Sequence, residues 1–378
     1  MDTGHLPFER PRSLTTAADD DLSVLRLIRS RRVGPATFHR LVAEHGSARA
    51  ALAVLPAIAA AAGIADYEAC PEGVAAAELA AGRKAGARLI RCDSPLYPSA
   101  LKDIDGAPPI LWVRGDPAWL SRNPVAVIGA RNASSLGLRM ARGMAAGLGE
   151  AGHTVVAGLA RGIDTAAHNA ALPTGTIAVM AGGVDVVYPA ENVILAAQIA
   201  EKGALVSEQP PGTEPQARHF PTRNRIVSGL SLAVVVIEAA HRSGTLITAK
   251  NALDQGREVM AVPGHPMDAR ASGCNQLIRD GALLVRGSAD VSAALGREAD
   301  PLDTATAPPV PLARPRPQPV EAGEIEARIL SRLGPSPSDE NDVIRDLGLP
   351  AAAASAAILS LELQGRLLRV PGGRLALG

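Results

Sequence analysis

Arginines and glycines recur together in this sequence where short apolar runs end. Gly129-Ala130-Arg131 follows Val125–Ile128, and Gly158-Leu159-Ala160-Arg161-Gly162-Ile163-Asp164 follows Thr154–Ala157. His219-Phe220-Pro221-Thr222-Arg223-Asn224-Arg225 lies beyond Ala204–Ser207, and His241-Arg242-Ser243-Gly244-Thr245 follows Leu232–Glu238. A glycine turn lets backbone N–H groups point outward. A helix starting there adds partial positive charge, and an arginine adds a full one. The chemistry that suits such loops is anion binding, with phosphate as the natural guest. One Arg-bearing loop is ordinary surface. Several on one edge make a site for a polyanion. Val125–Arg131 is the stretch the others gather around: a buried strand, the turn at Gly129, and Asn132, Ser134 and Ser135 as candidate N-caps of a helix running to about Gly149.

Other chemistries fit less well. Gly129 to Gly137 does not match GxGxxG, which argues against a dinucleotide cofactor, and no GxxxxGK[ST] loop is present for nucleotide triphosphates. Asp164 and His168 stand four apart and can share a helix face. No third ligand is spaced to join them in a metal site, and local bonding by Asp164 is the better reading. His241 with Ser243 lacks the nucleophile elbow of a hydrolase; Ser243-Gly244-Thr245 reads instead as a helix start offering amides and hydroxyls to phosphate. Glu238 is the one carboxylate placed like a catalytic group, with a structural partnership to a site arginine as its alternative. The expectation is therefore no catalytic residue, no metal and no cofactor. Phe220 is one of three phenylalanines in the chain and stands beside His219, Arg223 and Arg225. That setting suits a base stacked on the ring while its backbone is neutralised. A core phenylalanine anchoring the loop is the alternative.

These loops need a scaffold, and the chain supplies one. Strand candidates at Val125–Ile128, Thr154–Ala157, Thr176–Ala181, Ala204–Ser207, Leu232–Glu238, Glu258–Val262 and Leu283–Val285 alternate with helical stretches. The pattern predicts a doubly wound, mostly parallel α/β sheet over 121–297, with its chemistry beyond the carboxyl ends of the strands. Before it come a tail expected to be disordered (1–20), a small helical domain (21–65) and a connector (66–120) in which Pro98, Pro108 and Pro109 impose an extended path. Val33-Gly34-Pro35 resembles half of a helix-hairpin-helix turn without its second glycine, so helix packing or protein contact is favoured there over DNA. After it come a semi-rigid linker with seven prolines (298–320) and a tail domain (321–378) of three helices and a Gly-Gly hairpin, a winged helix. The 378 residues balance 38 basic against 38 acidic ones, so nucleic-acid binding requires a local patch. Three scattered cysteines, a polar start at Asp19-Asp20-Asp21 and no membrane-length apolar run lead to the expectation of a soluble cytoplasmic protein.

Taken in order, several motifs resemble the bacterial DNA-processing protein A (DprA, also called Smf) family. They are Tyr97-Pro98, Pro108-Pro109, Gly158–Asp164 with His168, Tyr188-Pro189, Phe220–Arg225, Ser243–Ala249, Pro263-Gly264 and Ser272–Ile278. The similarity runs from about Asp21 to the C-terminus. Ala130 and Ala157 depart from it, each standing where the family has Ser. The resemblance implies an extended Rossmann core with an N-terminal SAM/helix-hairpin-helix-like domain and a C-terminal winged helix. It implies a non-enzymatic, dimeric protein that binds single-stranded DNA, protects incoming strands in natural transformation and loads the RecA recombinase. By motif match the strand meets Gly129, Arg131, Arg161, Gly162, Phe220, Arg223, Arg225, Ser243, Gly244 and Thr245.

Two alternatives stand beside it. One is an enzyme like the Lonely-guy-type nucleotide phosphoribohydrolases. Gly244-Thr245 matches their phosphate-binding half, but Thr248 stands where their catalytic glutamate belongs. The other is a protein adaptor working through the winged helix. Eight acidic against six basic residues from Glu321 onward, and no Lys or Arg in Ala351–Leu363, predict that this domain contacts protein, or DNA only weakly.

Overall fold

The computed structural model describes residues 21–296, 322–334, 337–370 and 374–378. The tail expected at 1–20 and the linker expected at 298–320 lie outside them. Four helices open the described chain: α1 (Asp21–Arg29), α2 (Pro35–His45), α3 (Ala48–Ala61) and α4 (Glu72–Lys84). Leu25, Leu27, Phe38, Leu41 and Leu55 fill one apolar cluster among them. Pro35 sits in the first turn of α2, where its missing N–H breaks no helical bond.

The central sheet follows. β1 (Arg88–Arg91), the short α5 (Ser99–Lys102) and β2 (Ile110–Gly115) lead into β3 (Pro124–Ile128) and α6 (Ser135–Glu150). Then come β4 (Thr154–Ala157), α7 (Ile163–Ala171), β5 (Thr176–Val179), α8 (Val193–Lys202), β6 (Ala204–Ser207) and α9 (His219–Leu230). The core closes with β7 (Ala233–Val236), α10 (Thr245–Asp254), β8 (Glu258–Ala261), α11 (Ser272–Arg279), β9 (Leu283–Leu284) and α12 (Ser288–Ala294). The nine strands stand in the order β1-β2-β6-β5-β4-β3-β7-β8-β9. From β6 to β9 every pairing is parallel. β3, β4 and β7 are buried along their whole length because helices cover both faces, which is why their sequences read as unbroken apolar runs.

Two expectations are corrected. The segment 66–120 is not a mere connector. β2 pairs antiparallel with β1 on one side and with β6 on the other, so the segment extends the sheet. Pro98, Pro108 and Pro109 precede the strand rather than interrupt it, so they remove no ladder donor. Trp112 of β2 anchors the helical domain: its indole N–H donates to Glu78 Oε1 at 2.9 Å, and Arg29 grips the same carboxylate with two donors. The second correction concerns Phe220–Arg225, read as loop but forming the start of α9. Pro221 falls in the first turn, where it is tolerated, and Ile226, Val227 and Leu230 give the helix its buried face.

The tail domain matches the expected winged helix. α13 (Ala322–Arg332), α14 (Glu340–Leu347) and α15 (Ala351–Leu363) precede β11 (Leu367–Val370) and β12 (Arg374–Leu377), with β10 (Ser338–Asp339) added to the small sheet. The Gly-Gly turn falls outside the described residues. Ile329, Val343, Ile358, Leu361 and Leu375 make an apolar core of its own. Its contacts with the central domain are polar. Arg139 pairs with Asp342 and Arg142 with Asp346, each at 2.9 Å; Arg332 donates to Ala133 O at 2.7 Å and Arg270 to Ser331 O at 2.8 Å. Raising salt from about 0.1 to about 1 M shortens the Debye length from roughly 10 to roughly 3 Å. We therefore expect the winged helix to leave its dock over that range, read as a rise in radius of gyration by small-angle X-ray scattering. A scattering profile unchanged by salt contradicts an electrostatic dock.

Candidate nucleic-acid interface

β3 is the switch point of the sheet. The chain winds from it through β4, β5 and β6 to one side, then returns to lay β7, β8 and β9 on the other. Loops leaving β3 and β7 therefore diverge and open a crevice, the place where ligands sit in such sheets. A cavity of about 840 Å³ lies there. It brings together Gly129, Arg131, Phe220, Arg223, Ser243, Gly244 and Thr245, seven of the ten residues predicted for the strand.

Each loop has a local reason for its shape. A Cβ on Gly129 would stand 2.6 Å from Ile163 Cγ1, so only glycine lets the turn close onto α7. Ser134 caps α6 by accepting from Gly137 N at 2.9 Å. Thr245 donates its hydroxyl to Gly129 O at 3.1 Å, and Ser243 donates its own to Thr245 Oγ1 at 3.0 Å. These hydroxyls knit the two loops together. Their protons, expected to serve a phosphate, are already used, and so are the first amides of α10. Thr245 N donates to Ser243 Oγ at 3.2 Å, Leu246 N to Ser243 O at 3.0 Å and Ile247 N to Gly244 O at 3.1 Å, so the exposed Gly244 is what this loop leaves for an anion.

The cations divide by depth. Arg131 is exposed, with its guanidinium 5.4 Å from the centre of the Phe220 ring, a cation–π contact. Phe220 is half-buried at the cavity wall, neither sealed in the core nor free. Gly162 supports Arg131 from behind. Its φ is +76°, and a Cβ there would lie 2.4 Å from Ala130 O and 2.5 Å from Arg131 O. Arg223 lies at the cavity floor, only 6% exposed. Its Nη1 donates to Val179 O at 2.7 Å, while its Nε has no partner among the described residues. Gly158 makes room for it, since a Cβ there would fall 1.7 Å from Nη1. Burial lowers the Arg223 pKa to about 10 while Asp164 acts to raise it, so the guanidinium stays charged at neutral pH.

Three predicted residues do not line this cavity in the way expected. Arg161 is exposed beyond the wall, paired with Glu191 at 3.0 Å. Gly162 acts through the backbone, as described. Arg225 faces the other side of α9, half-buried against the Glu208 carboxylate in a cleft that Arg29 also lines. Glu238 is likewise not partnered by a site arginine. It accepts from the backbone N–H and the hydroxyl of Ser134, which fixes the start of α6. Burial raises its pKa. Arg242 and Arg270 line the cavity but were not singled out in the sequence. The signal for Arg242 was its place beside Ser243-Gly244-Thr245. Arg270 had only its position before the α11 start to mark it.

Asp164 and His168 serve different partners. Asp164 accepts from Gly158 N at 2.9 Å and Ala160 N at 3.3 Å, the local bonding expected, and burial raises its pKa. His168 is fully buried. Thr176 Oγ1 donates to Val155 O, so it accepts from His168 Nδ1–H at 2.8 Å, which leaves Nε2 unprotonated and without a partner among the described residues. Burial lowers the His168 pKa to about 3. Between pH 6.5 and that value the unfolded chain binds a proton that the folded one refuses, so stability falls as pH drops through this window. By pH 5.5 this histidine alone costs about 1.4 kcal/mol. Asp164, with a raised pKa, acts in the opposite sense. Comparing wild type with His168→Gln isolates the histidine: the variant's melting temperature is expected to fall less steeply from pH 6.5 to 5. Parallel acid limbs would contradict a buried neutral His168.

Fold and site together define an extended Rossmann protein whose switch point holds a cationic, glycine-bounded cavity, flanked by a helical domain and a winged helix. A family model for DNA recombination-mediator protein A matches residues 88–296, a DprA-like N-terminal HHH domain matches 18–81, and a DprA winged helix domain matches 313–373. The chain belongs to the DNA recombination-mediator protein A family. It is 42% identical over 216 residues to the DNA processing protein DprA of Bacillus subtilis, covering 56% of this chain and 73% of that protein. An X-ray structure of DNA processing protein A from Streptococcus pneumoniae superposes with a TM-score of 0.64 at 34% identity, over 73% of this chain and 98% of that one. A structure of DNA processing protein A from Helicobacter pylori, described by its single-stranded DNA binding mode, superposes with a TM-score of 0.51 at 26% identity, over 56% of this chain and 97% of that one.

Proposed function

We propose that this protein binds single-stranded DNA along the carboxyl edge of its sheet and acts in recombination without catalysing a reaction. The observation that carries this reading is the Arg223 guanidinium, charged, buried and short of a partner at the floor of an open cavity. A buried cation with an unmet donor is costly unless an anion completes it. Above it, the Gly129 turn, the exposed Gly244 and the exposed Arg131 offer further phosphate contacts, and Phe220 offers a face to a base. The Helicobacter pylori relative, described as a single-strand binder, supports the same reading. Catalysis is not favoured by the carboxylates at hand. Asp164 is bound to two backbone amides, Glu238 to Ser134, and a buried Thr248 occupies the place of the hydrolase glutamate. Within this reading the protein works as a homodimer and delivers its strand to the RecA recombinase.

Fluorescence anisotropy with labelled oligothymidylate tests it. Binding is expected to be tighter for single strands than for duplex, and to weaken with salt by a slope of about 0.7 per phosphate neutralised. Salt-independent binding, or a preference for duplex, contradicts the proposal. Release of free base from nucleoside monophosphates would overturn its non-enzymatic part.

A further inference from the structure

Tyr188 is out of place in this chain. The sequence holds only three tyrosines, three phenylalanines and two tryptophans. Tyr67 and Tyr97 are buried, with their hydroxyls donating at 2.7 Å to Arg31 O and Pro108 O. Tyr188 is 54% exposed, and its hydroxyl has no hydrogen bond among the described residues. Core packing does not account for it.

Its loop is nonetheless fixed. Pro189 beside it is buried. Asn192, itself buried, donates its side-chain amide to Leu159 O and to Thr165 Oγ1, each at 2.9 Å. Leu159 has φ +57°, a costly conformation for a branched side chain, so the bond to its carbonyl holds a strained turn in place. Asp185 secures the other end by accepting from Gly212 N at 2.8 Å. An exposed aromatic ring on a pinned loop loses little freedom when something stacks on it.

The ring also has a meaningful neighbour. Its centroid lies 5.8 Å from that of Phe220, with the two planes at 65°. Phe220 in turn lies under Arg131. Three residues beyond Tyr188, Glu191 pairs with Arg161, both more than half exposed. A pair that exposed is worth little and yields readily to a phosphate.

We propose that Tyr188 is a second base-stacking residue, and that the single strand runs from Arg131 and Phe220 across Tyr188 to Arg161. The proposal rests on the single-strand reading and extends it. It also gives a geometric reason for that preference. Bases stacked one on each ring are turned by about the angle between the rings, so the backbone must bend between them. A single strand bends there freely, whereas in a duplex neighbouring base pairs stay nearly parallel. Arg161, outside the cavity, thereby gains a role at the end of the track.

The test is a length series of oligothymidylates titrated against the full chain by anisotropy. Wild type should show a gain in affinity at the length where the strand first reaches Tyr188. Tyr188→Ala should match wild type on the shortest oligomers that bind and lose that gain, roughly five- to a hundredfold on longer ones. Tyr188→Phe should keep it, because stacking needs the ring and not the hydroxyl. An unchanged melting temperature is expected of both variants, since the side chain is exposed. A thymidylate with 5-iodouracil at the matching position should crosslink to Tyr188 under ultraviolet light. Tyr188→Ala following wild type at every length overturns the proposal, as does Tyr188→Phe losing as much as Tyr188→Ala. A wild-type protein that binds no oligomer of any length overturns the single-strand reading itself, so the two failures are distinguishable.

Discussion

Replacing Arg131 and Phe220 together by alanine is expected to weaken oligothymidylate binding on the order of a hundredfold or more. Stacking on an aromatic ring is worth about 1–3 kcal/mol per base. A hydrogen bond to a charged group adds about 1.5–3 kcal/mol. The two residues touch through their cation–π contact, so their losses should not sum fully. The single variants separate the terms by salt. Arg131→Ala should flatten the salt dependence by about 0.7 in slope, because one phosphate loses its cation. Phe220→Ala should lower affinity and leave the slope where it was. Arg225→Ala is the control: this residue is turned toward Glu208 in the opposite cleft and should change affinity little. A double variant with wild-type affinity, or an Arg225→Ala effect as large as that of Arg131→Ala, refutes this site.

The contrast between Arg223 and Arg225 shows where the sequence stops being informative. Both lie in one basic run beside Phe220, and as a loop they read as equivalent. They lie instead on α9, where successive residues turn by about 100°. Two residues apart therefore means opposite faces, and one arginine goes under the cavity while the other leaves it. The helix itself was hidden by Pro221, which signals a break except in a first turn. β3, β4 and β6 were plain for the converse reason. Val125–Ile128, Thr154–Ala157 and Ala204–Ser207 are short apolar runs bounded by turns, buried on both faces, so local pattern and tertiary environment agree. In β2, Ile110–Val113 is a comparable buried apolar run, but its place in the sheet rests on pairing with β6, which joins residues about ninety positions apart, and no local pattern carries that information. The anion chemistry of Gly129, Gly244 and Arg131 was visible as residue type at loop positions. The use of the Ser243 and Thr245 hydroxyls within the protein was not, since it depends on the distance between two loops.

Asp164→Ala should be strongly destabilising. The carboxylate accepts two backbone N–H groups of the turn after β4 and offsets the buried Arg223 charge. Without it both amides lose a partner, and a guanidinium already short of one partner loses its counter-charge. Removing one member of a buried charged pair costs about 3–5 kcal/mol. The lower end applies here, because the two groups interact without direct ion-pair contact. Arg223→Met should cost less, since it removes the charge together with its desolvation. The decisive measurement is the double-mutant cycle in chemical denaturation. If Asp164 mainly supports Arg223, Asp164→Ala adds much less in the Arg223→Met background than in wild type. Full additivity would show that Asp164 serves only the backbone turn. In the coupled case, by contrast, an anion bound above Arg223 stands in for the missing carboxylate, so oligonucleotide should raise the melting temperature of Asp164→Ala more than that of wild type.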